Sequence, residues 1–150
     1  MTRQVRRNVI ALDLEGTLIS NAMSQIPRPG LYSFLESCRG LTPHIVLFTF
    51  VRTALVVQIV EQLVADGFAP EWFRQTECIE WTGATKNLAF IPDCDVESAV
   101  LVDDLSGYVH PGQESHWLPV PSFSAPYPPD DRALDDVALA LRSRLGAQES

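Results

Sequence analysis

Cysteine is scarce in this chain. Cys38, Cys78 and Cys94 are the only three among 150 residues, and no two fall at Cys-x-x-Cys spacing. A zinc ribbon or a disulfide framework is therefore not expected, and a reducing cytoplasm is the expected setting. Long hydrophobic runs are also missing. Stretches such as residues 45–48 are far too short to span a bilayer, so no membrane partner is expected. The first eight residues carry three arginines, but Asp13 and Glu15 follow too soon for a signal peptide. Basic residues are in the minority, 11 against 19 acidic, for a net charge of −8. That argues against nucleic-acid binding, which rests on Lys and Arg meeting phosphates. It also means that an anionic substrate must be met by a local cation, either a lysine or a metal. His44, His110 and His116 share no metal-ligand spacing. What is present in ordinary amount is apolar material, 46% of residues with 20% charged, which excludes a disordered chain. The length fits one domain, residues 1–150, that buries roughly 68–70% of its unfolded surface.

Three apolar runs stand out. Residues 9–14 (VIALDL) end in an acidic cluster, 45–48 (IVLF) run into Thr49, and 99–102 (AVLV) run into Asp103 and Asp104. Runs of this length and composition read as parallel strands buried on both faces. Helical spacing lies between them. Leu31, Phe34, Leu35 and Cys38 follow Pro29–Gly30, and Leu55, Ile59, Leu63 and Val64 precede a stop at Gly67. Residues 72–83 break the alternation and read as one or two short strands and a turn, a small β insert. Residues 85–90 open a short helix, and residues 117–120 read as a last strand. Five prolines crowd into 119–129 as a chain-reversing loop. Asp130 then offers an N-cap for a helix striped by Leu134, Val137, Leu141 and Leu145. Strand–helix–strand alternation predicts an α/β fold with right-handed crossovers.

The polar residues fall in a meaningful place. In an open parallel sheet, ligands bind beyond the carboxyl ends of the strands. Asp13, Thr49, Asp103 and Asp104 each follow a predicted strand, and Lys86 lies between the second and third of these. Carboxylates crowded at one rim repel each other, and a hard cation with oxygen ligands relieves that repulsion. Mg2+ suits such a site because it takes one or two carboxylates together with substrate phosphate and water.

The order Asp13-x-Glu15-Gly16-Thr17, Thr49, Lys86, Asp103–Asp104 resembles the haloacid dehalogenase (HAD) superfamily of phosphohydrolases. The resemblance tightens on its NIF-type branch, similar to the small CTD phosphatases. Segments DLEGTL, RPGLYSFL, IVLFTF, FRQTECIEWTGATKNL and VLVDDLSGYVHP occur here in that branch's order, from about residue 9 to 123. The order differs from that of two-component receiver domains, which place their paired acids first. The resemblance implies a Rossmann-like HAD core: a mostly parallel sheet with helices on both faces, a small β insert and no cap domain. It further implies Asp13 as nucleophile, forming an aspartyl-phosphate and sharing Mg2+. Glu15 would lend its carbonyl to the metal and its side chain as general acid and base. Thr49 and the N–H groups near Leu14 would hold phosphate oxygens, and Lys86 would neutralise charge on nucleophile and phosphoryl group. Asp104 is the favoured direct metal ligand, with Asp103 orienting Lys86. Thr17 reads as a brace for the loop.

One position departs from the branch. Its acid/base residue is usually Asp, and this chain has Glu15 followed by Gly16. The enolase-phosphatase branch reads D-x-E-G-T and is catalytic, so glutamate is compatible with turnover. Residues 18–29 and 50–86 leave no room for a cap domain, which favours a phosphorylated macromolecule such as a phosphoprotein. Two alternatives stay open: a catalytically weak binding or regulatory module on the same fold, and a small-metabolite phosphatase closed by oligomerisation. The sequence leaves the oligomeric state unspecified.

Overall fold

The structure is a computed structural model that describes residues 5–146. Five strands form one sheet: β1 (Val9–Leu12), β2 (Ile45–Leu47), β3 (Glu77–Cys78), β4 (Ala99–Asp103) and β5 (Trp117–Pro119). Their order is β3-β2-β1-β4-β5, and every pairing is parallel. The described residues form three α-helices: α1 (Leu31–Leu41) and α2 (Thr53–Ala65) connect strands, and α3 (Ala133–Gly146) follows β5. The apolar spacing places each helix. Leu31, Phe34, Leu35 and Cys38 are buried on α1, Ile59, Leu63 and Val64 on α2, and Leu134, Val137, Leu141 and Leu145 on α3.

Strand alternation splits the core into two layers. Ile10, Leu12, Ile45, Leu47, Val100 and Val102 face the three α-helices. Val9, Ala11, Val46, Phe48, Ala99 and Leu101 face Ile79, Leu88 and Ile91 on the other side. Helical segments thus cover both faces, but unequally. The second face has only short 3-10 turns such as Leu88–Phe90, because Gly83 and Pro92 punctuate the connection from β3 to β4 before an α-helix can form. A consistent hand of crossover explains the layering. β1 to β2 to β3 grows the sheet one way over α1 and α2, whereas β4 to β5 grows it the other way over the opposite face.

Residues 72–83 join the main sheet and build no separate insert. A 3-10 turn at Glu71–Gln75 leads into β3, the edge strand. Gly67, at φ +80°, ends α2 as predicted: Phe68 N–H reaches the Leu63 carbonyl at 2.9 Å and Gly67 N–H the Val64 carbonyl at 3.1 Å. The cap of α3 differs from expectation. Asp131, not Asp130, accepts from Ala133 N–H at 3.1 Å, because Arg28 holds the Asp131 carboxylate in place. Among the described residues the three cysteines carry free thiols, and burial pushes the Cys38 thiol up to about 12, so it packs as an inert core residue. No helix among them is long and apolar enough to cross a membrane.

Candidate active site

The sheet reverses its direction of growth at β1, with β2 on one side and β4 on the other. Register then decides what meets there. Leu12 pairs with Val102, so Asp13 and Asp103, one step further on, stand side by side, and Asp13 N–H donates to the Val102 carbonyl at 3.0 Å. Alternation turns both carboxylates toward the face of Ala11 and Leu101, the same face that the connection carrying Lys86 covers.

Lys86 fills that position. Its Nζ donates to Asp13 Oδ1 at 2.8 Å and to Asp103 Oδ2 at 2.6 Å. The side chain is fully buried, and the same ammonium lies 5.2 Å from the Tyr108 ring centre and 5.6 Å from that of Phe50. Lys86 is the only lysine in the chain, all other basic residues being arginine. An ammonium is a compact point charge with three rotatable donors, which suits a buried place between two carboxylates. Its backbone is fixed as well, since Lys86 N–H donates to the Tyr108 carbonyl at 2.7 Å. Burial raises the Asp13 carboxyl well above the usual carboxylate range. Lys86 opposes the rise, and neighbouring Asp103 adds to it. Burial raises Asp103 too, against Lys86.

Asp104 reaches the cluster from the other side. Its carboxylate lies flush against Gly16, where a Cβ would stand 2.3 Å from Oδ2. Gly16 is also in the left-handed region at φ +77°, so two independent constraints require glycine there. Thr17, fully buried, braces the centre: its hydroxyl donates to Asp13 Oδ2 at 2.9 Å and lies 3.4 Å from Asp104 Oδ1. Oxygens of Asp13, Asp103 and Asp104 lie within 4.8 Å of one another, and this is the one such cluster among the described residues. An all-carboxylate donor set fits a hard divalent cation such as Mg2+.

The description of the NLI interacting factor-like phosphatase family matches residues 8–149. This chain belongs to that family. Thirteen solved chains also match, among them a variant of the fission yeast RNA polymerase II CTD phosphatase Fcp1 bound to beryllium fluoride. The two are 15% identical, with a TM-score of 0.54 over 95% of this chain and 51% of that one. The present chain thus spans about half the length of that structure, and the likeness establishes a shared fold. No curated protein matches. The capless HAD-type core anticipated for this NIF-family chain is the one found.

Of the remaining predicted residues, Glu15 and Thr49 reach the same place. A cavity of about 280 Å³ is lined by Asp13, Glu15, Gly16, Thr49, Phe50, Asp104 and Tyr108, among others. Thr49 is buried and does not cap α2, which begins at Thr53 behind Arg52; its hydroxyl accepts from Val51 N–H at 3.1 Å. Leu14 packs into the core, while no hydrogen bond among the described residues uses the N–H of Leu14 or Glu15. Glu15, the NIF-family member's departure, lies on the cavity wall with Oε2 accepting from Ala22 N–H at 2.6 Å.

Three contributors escaped the sequence reading. Phe50 and Tyr108 wall the lysine, and their hydrophobicity alone gave no sign of that. Arg28, in RPGLYSFL, is buried at 1% exposure. It pairs with both Asp131 oxygens at 3.0 and 3.1 Å, and its Nη1 lies 3.3 Å from the carbonyls of Gly16 and Thr17. Its membership of the RPG segment was the available signal. Arg52, next to this site, is exposed and has no ion pair among the described residues.

Proposed function

We propose that this chain is a Mg2+-dependent phosphatase that hydrolyses phosphomonoesters through an aspartyl-phosphate at Asp13. The observation that carries the reading is the meeting of Asp13, Asp103 and Asp104 at one rim with the buried Lys86 ammonium between the first two. Asp13 attacks phosphorus, forming an O–P bond as the ester O–P bond breaks. Glu15 gives its proton to the departing alcohol, then takes one from the water that attacks the phospho-Asp13, freeing Asp13 and inorganic phosphate. Lys86 neutralises the nucleophile and the equatorial phosphoryl oxygens, and the N–H groups of Leu14 and Glu15 with the Thr49 hydroxyl receive those oxygens. Asp13, Asp104 and the Glu15 carbonyl would hold Mg2+. Both Asp103 oxygens are engaged, by Lys86 and by Leu105 N–H at 3.0 Å, so Asp103 acts by orienting the lysine. When bound, Mg2+ offsets the carboxylate repulsion and the charge on the phosphate.

A phosphorylated macromolecule such as a phosphoprotein is the favoured substrate class. Nothing among the described residues caps the cavity, and Phe50 and Leu105, which line it, are 46% and 43% exposed. Beside it lies a groove of about 330 Å³ that includes Thr49, Phe50, Arg52, Glu80 and Trp81 and could receive residues flanking a phosphorylated side chain. Fcp1 is an RNA polymerase II CTD phosphatase. The serine-proline element of the CTD phosphatases reads Leu105–Ser106 here, which weakens the transfer of that particular specificity. We also place the chain in the reducing cytoplasm, on its free thiols. The test is turnover of an aryl phosphate with Mg2+ and with EDTA, wild type against Asp13→Asn. Activity lost in both the variant and EDTA is expected; equal activity in the two proteins would end the proposal.

A binding module with weak turnover is the second reading, favoured by the hydrogen bond that holds Glu15 to Ala22. Glu15→Asp separates the two. A large gain in turnover would mark the natural site as impaired, whereas loss supports Glu15 as a working acid.

A further inference from the structure

The proline-rich segment after β5 is pinned to the site at two adjacent residues. Phe123 N–H donates to the Gly16 carbonyl at 2.8 Å, and the Ser122 hydroxyl donates to Asp104 Oδ2 at 2.6 Å. The pinning is backed from behind. Phe123 is buried, the Arg28 guanidinium lies 5.4 Å from its ring centre, and Arg28 in turn holds Asp131 at the start of α3. A segment that reads in sequence as a chain reversal is thus a strap whose Ser122 touches the carboxylate cluster.

We propose that Ser122 is a positioning residue for Asp104, a role that rests on the reading of Asp104 as a Mg2+ ligand. Asp104 is only partly buried, so its carboxylate could turn toward water among its staggered rotamers. Two contacts prevent that. The missing side chain of Gly16 makes room for the carboxylate, and the Ser122 hydroxyl fastens Oδ2 with a charge-assisted hydrogen bond of the short O–H···O kind. Oδ1 has only the long 3.4 Å contact with the Thr17 hydroxyl, which also holds Asp13 Oδ2, and this leaves Oδ1 available to a cation. Partners of this type fix the direction of a metal ligand without touching the metal. The Phe123–Gly16 hydrogen bond fixes the Ser122 backbone in turn, so the hydroxyl acts from a held position.

The test is Mg2+ binding by titration calorimetry, with thermal melts, on wild type and on Ser122→Ala, Ser122→Thr and Asp104→Asn. Ser122 is exposed, so its alanine variant should melt with wild type. Its Kd for Mg2+ should rise about tenfold, the low end for loss of such a partner. The Mg2+ concentration for half-maximal turnover should shift by the same factor. Ser122→Thr, which keeps the hydroxyl, should restore wild-type affinity, and Asp104→Asn should bind far more weakly. Equal Mg2+ affinity in wild type and Ser122→Ala, with Asp104→Asn impaired, would overturn the positioning role and leave the phosphatase reading standing. So would failure of threonine to restore binding. A wild type that binds no Mg2+ would overturn both.

Discussion

Replacing Gly16 by alanine perturbs the site at one atom. The added Cβ would stand 2.3 Å from Asp104 Oδ2 and 2.9 Å from its Cγ, so the carboxylate must retreat by about 0.7 Å to reach even 3.0 Å. Ser122 and Thr17 hold that carboxylate, and displacement therefore breaks contacts that orient it. Misplacement on the order of 1 Å costs about a hundredfold in turnover. A second cost is the backbone: at φ +77° an L-residue loses roughly 1–2 kcal/mol, a Tm fall of about 2–8 °C for a chain of this size. Gly67→Ala separates the two effects. It has nearly the same angle, +80°, and nothing within 4 Å of its Cβ. The two variants should lose similar thermal stability. Only Gly16→Ala should lose about a hundredfold in kcat/KM on an aryl phosphate and need more Mg2+. Equal activity in the two variants, at unchanged Mg2+ requirement, would refute the placement of Asp104 against Gly16.

Four further outcomes follow from the same geometry. Glu15→Gln keeps an acceptor for Ala22 N–H, so it should melt like wild type while kcat falls about 10²–10⁴-fold; unchanged kcat would remove Glu15 as acid and base. Asp13→Asn should raise the Tm of the metal-free protein, because burial makes the ionised Asp13 costly to the fold. The raised carboxyl takes up its proton in the folded state before the unfolded chain does, so metal-free wild type should gain stability on mild acidification and the variant should gain less. A lower Tm for the variant would contradict this. Lys86→Met should act oppositely, leaving two buried carboxylates unpaired at a cost of about 3–5 kcal/mol and a Tm loss on the order of 10 °C. Burial works against the ionised Asp131, but hydrogen bonds from Arg28 and Ala133 outweigh it and hold the carboxyl below its ordinary value. Its contribution is present above the ordinary value and is lost as pH falls through the lowered one, so Asp131→Asn should flatten the acid limb of a Tm–pH curve.

Much of this arrangement is legible in the sequence because period and order carry it. The apolar runs before Asp13, Thr49 and Asp103 set strands, and the helical stripes of α1 and α3 are buried as their spacing predicts, as is that of α2 apart from the half-buried Leu55. Lys86 could be singled out further, as the chain's lone lysine. Other features depend on long-range geometry that no local pattern encodes. Glu77–Cys78 is an edge strand because Leu47 pairs with Cys78, which a two-residue strand cannot announce. Asp131 replaces Asp130 as the capping carboxylate because of Arg28, which lies far off in sequence. Ser122 meets Asp104 only because the strap is pulled in by the Gly16 carbonyl and the burial of Phe123. The Glu15 contact with Ala22 depends on how the loop after β1 folds back, and sequence alone left its direction open.

The central claim is that the Asp13 carboxylate becomes phosphorylated. Rapid quenching of the Mg2+-loaded enzyme during turnover, reduction with borohydride and peptide mass spectrometry measures it directly, since an acyl phosphate is reduced to the alcohol. Homoserine at position 13, formed only with substrate present and absent when phosphate is left out, is the result predicted here. Turnover with an unmodified Asp13, or with the reduced residue at another carboxylate, would contradict it.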